Sequence, residues 1–76
     1  MKTDQLCRDF VLMHRGEELD AIEAVCLMRD RWGVQVDWHV MSDVLVRMLE
    51  RAEVDYSRER GYDRMTRYVV RGGLTR

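Results

Sequence analysis

Proline is missing from this 76-residue chain, lysine occurs once, cysteine twice, and phenylalanine once. No apolar run approaches the roughly 20 residues that a bilayer-crossing helix requires, so no membrane partner is expected. The two cysteines form no CxxC pair and the two histidines no HxxxH pair, so spacing offers no metal site. A metal site would need Cys7, Cys26, His14 or His39 to converge in space. No glycine-rich phosphate loop is present either, and no cofactor is expected. Charge of one sign is also lacking. Thirteen Lys and Arg face fourteen Asp and Glu, a net charge of -1, which gives no strong long-range pull toward nucleic acid or membrane.

What is present suits one small folded domain. Hydrophobic residues make up 46% of the chain, too many for a disordered tail. A chain of this size buries only about 60% of the surface its unfolded form exposes, so its stability margin is thin. One shared core must hold it. The N-terminal residues, Met1-Lys2-Thr3-Asp4-Gln5, do not resemble a secretory signal, so a cytoplasmic location with both thiols reduced and packed in the core is expected.

Hydrophobic spacing predicts three helices. The first covers about 3–14, with Leu6, Phe10 and Met13 on one face, Cys7 and Val11 widening it, and Thr3 as its N-cap. Arg15-Gly16 stops it. A second covers about 17–31, burying Leu19, Ile22, Val25, Cys26 and the stem of Arg29, with acids in its first turn and Gly33 at its end. Trp32 beside that glycine reads as a core plug. Asp37 caps a third helix over about 38–53, whose apolar face is Val40, Met41, Val44, Leu45, Met48 and Leu49.

Beyond Glu53 the period changes from 3.6 to 2. Residues 54–58 and 65–70 read as two strands around the polar, glycine-bearing stretch Arg58 to Asp63, which predicts an antiparallel hairpin leaning on the helices. The expected fold is mostly α with a C-terminal β-hairpin. Charge is segregated along it: residues 1–55 carry a balance of -5 and residues 56–76 one of +4, the latter from Arg58, Arg60, Arg64, Arg67, Arg71 and Arg76.

At this point the pattern resembles the winged helix-turn-helix superfamily. The likeness rests on Arg31-Trp32-Gly33-Val34-Gln35-Val36 between two helical patterns, on Leu45 to Val54 running from helix to strand, and on Arg60-Gly61-Tyr62 where a wing tip falls. It covers about 55 of the 76 residues. Its signature is mainly hydrophobic spacing plus a glycine. The resemblance implies a three-helix winged domain whose third helix enters the major groove of duplex DNA while the wing touches backbone. Carried onto this chain, the groove-facing residues are His39, Ser42, Asp43, Val46, Arg47 and Glu50, and the wing contacts are Arg60 and Arg64. Tyr62 near the tip is a stacking candidate.

Two functions follow, and neither is catalytic. The first is a small DNA-binding regulator, acting as a homodimer through the first helix if its apolar stripe is wider than the core requires. The second is a winged-helix scaffold that binds a protein. It is motivated by the acidic body and by Asp43 and Glu50 on the reading helix, since acids without a basic surround are repelled by phosphates. Asp37, His39 and Ser42 lie close in sequence, but such a cluster without an oxyanion site is ordinary surface chemistry.

Overall fold

The computed structural model describes residues 2–58 and 65–71. Its elements run α1 (Thr3–Leu12), β1 (Glu18–Asp20), α2 (Ala21–Trp32), α3 (Trp38–Glu50), β2 (Val54–Tyr56) and β3 (Arg67–Val70). The three helices and a small antiparallel sheet enclose one core. Among the described residues, no helix is long and apolar enough to cross a membrane.

The expected pairing of the two C-terminal strands is formed, with Val54 opposite Val70, Asp55 opposite Val69 and Tyr56 opposite Tyr68. Both strands are shorter than the expected 54–58 and 65–70. A backbone bond from Ser57 N to Arg67 O at 2.9 Å extends the ladder by one step. The sheet has a third strand that the sequence reading placed inside the second helix. Glu18, Leu19 and Asp20 pair with Val69, Tyr68 and Arg67, giving the strand order β1-β3-β2. A row of side chains therefore crosses the sheet from Leu19 through Tyr68 to Tyr56. Leu19, Val54, Tyr68 and Val70 point into the core, and Tyr56 overhangs it, its ring stacked on Tyr68.

Gly16 makes this strand possible. It takes a left-handed φ of 85° just after α1, reversing the chain so that its N–H donates to Val70 O at 2.8 Å. Asp20 then ends β1 and caps α2, its carboxylate accepting from Glu23 N at 2.7 Å. α2 thus begins at Ala21, and its face differs from the expected one. Ala21, Ala24 and Met28 are buried, Val25 and Leu27 are partly buried, and Ile22 and Cys26 are exposed. Ile22, Val25, Cys26 and Arg29 also satisfy helical spacing. The stripe that enters the core is the one containing two alanines, not the bulkier one.

α1 ends at Leu12, before the expected His14, and Lys2, not Thr3, occupies its cap position with no side-chain bond. Its Cys7, Phe10 and Val11 are buried. Leu6 packs against the same core and Met13 is left open, so little of the expected stripe remains for a second chain. α2 closes at Gly33 and α3 opens at Asp37, both as expected. α3 buries Met41, Val44, Leu45 and Met48, with Val40 and Leu49 half-buried, and stops at Glu50 rather than Glu53. Phe10 meets Trp32 edge-on at 5.0 Å, which makes Trp32 the core plug expected of it.

Candidate functional site

α3 positions most of the residues the sequence singled out. Side chains spaced by three and four along a helix share a stripe, and His39, Asp43, Val46 and Glu50 are so spaced. All four are exposed, opposite the stripe of Met41, Val44, Leu45 and Met48 that enters the core. Ser42 is half-buried at one margin. Val46 is 43% exposed, an apolar side chain between two carboxylates. At the N-terminal end of the stripe Trp38, itself partly exposed, stacks on the His39 ring with centroids 3.9 Å apart.

Arg47 is the expected base-reading cation, and its position differs in one respect that decides its chemistry. It lies on the margin of α3 that faces α1, and its Nη1 donates to Asp4 Oδ2 at 2.9 Å. Both side chains are more than half exposed, so the pair adds little stability. It does neutralise the one cation that the open face of α3 was expected to supply. The open face of α3 is therefore acidic around an apolar and aromatic strip.

Asp37 and His39 form a local cap. Asp37 Oδ1 accepts from His39 N at 2.7 Å and from His39 Nδ1 at 2.8 Å. These bonds, the backbone one foremost, hold the Asp37 carboxyl below its ordinary value.

Among the described residues, part of the segregated charge of the sequence is reunited by the fold. Arg67 on β3 faces Glu18, Asp20 and Glu23 at 3.4–3.6 Å. A buried carboxylate oxygen of Glu23 has this guanidinium as its cation, without hydrogen-bond geometry. Arg71 binds Asp55 at 2.8 Å. Of the three described C-terminal arginines, Arg67 and Arg71 are thus committed to acids of residues 1–55. Arg58 is exposed, whereas Arg60, Arg64 and Tyr62 lie outside the described residues. The comparisons are silent. No family model, curated protein or solved structure matches the chain.

The groups considered for a metal do not converge. Among the described residues no set of three His, Cys, Asp or Glu side chains could hold an ion. His14, expected as the end of the first helix and as a ligand candidate, is a buried structural residue. Its Nδ1 lies 2.9 Å from Phe10 O and its Nε2 lies 2.7 Å from Arg31 Nη1. A carbonyl only accepts and a guanidinium only donates, so the proton sits on Nδ1 and Nε2 accepts. Cys7 is buried as expected, and burial, aided by Asp4, pushes its thiol above the ordinary value. Cys26 is exposed, contrary to the expectation of a core cysteine.

Proposed function

We propose that this chain is a non-catalytic protein-binding module on a winged-helix scaffold, with the open face of α3 as its contact surface. The scaffold reading is supported by the element order helix, strand, helix, helix, strand, strand and by the strand order β1-β3-β2. The observation that carries the function is the chemistry of α3. Asp43 and Glu50 flank Val46, and Arg47 is already held by Asp4. A helix placed in the major groove meets phosphates on both sides, and this one brings carboxylates to them. A protein surface with an apolar knob between Lys or Arg side chains complements it instead. The Trp38–His39 stack adds an aromatic face on which a partner cation can rest.

A second reading, duplex DNA bound chiefly through the wing by a homodimer, keeps one observation in its favour. Arg58, Arg60 and Arg64 all fall in the segment joining β2 to β3. Glu59 and Asp63 in the same segment offset two of those charges.

A photoreactive residue in place of Val46 separates the two readings. In an extract of the source cells, the proposal expects one stoichiometric protein adduct, lost when Asp43→Lys and Glu50→Lys reverse the face. Crosslinking to nucleic acid alone, abolished by Arg58→Gln, Arg60→Gln and Arg64→Gln, overturns it.

A further inference from the structure

A cleft of about 150 Å³ lies between α1 and α3, away from the face assigned to the protein partner. Its floor is Val44 and Met48, both core residues, and its rim carries Arg8, Arg47, Arg51 and Asp4. Three arginines line it, Arg8 from α1, Arg47 from α3 and Arg51 from the cap that ends α3. Each has donors to spare. Arg8 forks onto Glu53 through Nε and Nη2, which leaves Nη1. Arg47 uses only Nη1 on Asp4, and Arg51 has no ion pair among the described residues. Asp4 and Glu53 are direct partners and Asp9 also acts on Arg8, so what the cluster offers an anion is its unused donors rather than a net charge.

We propose that this cleft binds a small oxyanion group, a phosphate or a carboxylate. Arginine's planar fork matches either group bidentately, and the apolar floor strengthens the attraction by excluding water from one side. The volume sets the ligand's size. Drug-sized and nucleotide-sized ligands occupy pockets of about 300–1,000 Å³, so this cleft takes one anionic group with a short stem. Glu53 fixes Arg8 in place. Asp4 acts as an internal competitor, because the incoming anion must share or displace it at Arg47. The inference does not depend on what α3's open face binds.

Amide chemical shifts of the full chain, followed at low ionic strength during separate titrations with inorganic phosphate and with succinate, test the proposal. The expected result is a saturating shift confined to residues 4–8 and 44–51 in at least one titration, and the anion that saturates names the class. Arg51→Gln, at an exposed position that leaves the fold intact, should weaken binding at least about tenfold. Asp4→Asn should tighten it several-fold by freeing Arg47. Asp30→Asn, an equal change of charge beside Arg29, should leave it unaltered. Overturning results are no saturation with either anion, shifts spread over arginines elsewhere, equal binding by Arg51→Gln, or equal gains from Asp4→Asn and Asp30→Asn.

Discussion

Ala52 sits at φ 61°, a left-handed conformation in which its Cβ crowds the backbone. It does so because α3 ends in a Schellman arrangement: Glu53 N donates to Met48 O at 2.8 Å and Ala52 N to Leu49 O at 3.0 Å. Glycine is the usual residue there. Ala52→Gly should therefore stabilise the fold by about 0.5–1 kcal/mol, since relief of the left-handed strain exceeds the added freedom of the unfolded chain. A rise of about 2–8 °C in melting temperature is expected for a domain of this size, and a fall would mean that Ala52 makes contacts that outweigh its strain. The two thiols offer a second check at the same scale. Cys26 should react at once with a thiol reagent at neutral pH, whereas buried Cys7, with its raised pKa, should react only as the molecule opens. Equal labelling rates in the native state would contradict the burial of Cys7.

Among the elements, the join between β1 and α2 concentrates several contacts in one residue. Asp20 ends the strand, caps the helix and lies 3.6 Å from Arg67 on β3. Its replacement in Asp20→Ala should cost about 1–2 kcal/mol through the lost cap, measured by urea unfolding, and a near-neutral result would show that the cap bond is dispensable. The cap of α3 is different, being exposed and dependent on charge. The Asp37 carboxyl is held below its ordinary value, so its contribution is present above about pH 4 and is lost as pH falls through the depressed value. The stability difference between the native chain and Asp37→Ala should thus be constant near neutrality and shrink below about pH 4. A difference that persists in acid would place the effect in packing.

At the scale of the whole molecule, the legible features were those with strong local signals. α3 was readable in its start and its face, though not its end, because its apolar stripe is bulky and continuous and because Asp37 marks its start. The switch at Val54 was readable because the period itself changes. β1 was not, since three residues cannot display a period and Glu17, Glu18 and Asp20 resemble the acidic first turn of a helix. The one local clue was Asp20 standing three residues before Glu23, a capping-box spacing that places the helix start at Ala21. Site electrostatics were the least legible. Asp4 reaches Arg47, Glu53 reaches Arg8, and Glu18 reaches Arg67 across 43 or more positions, so which charges are paired in the fold is not visible from their order in the chain. Arg67 and Arg71 are thereby taken from the basic C-terminal end, while the acidic stripe of α3 stays open.

The most direct measurement of that surface is fluorescence anisotropy of a labelled mixed-sequence duplex titrated with the chain at about 50 and 200 mM salt, the range over which phosphate contacts lose most of their affinity. The chain as it stands should give no saturable binding at either salt concentration, and Asp43→Lys with Glu50→Lys should bind at the lower one. Saturable, salt-sensitive binding by the unaltered chain, not improved by that charge reversal, would contradict the reading of α3 as a protein-binding face.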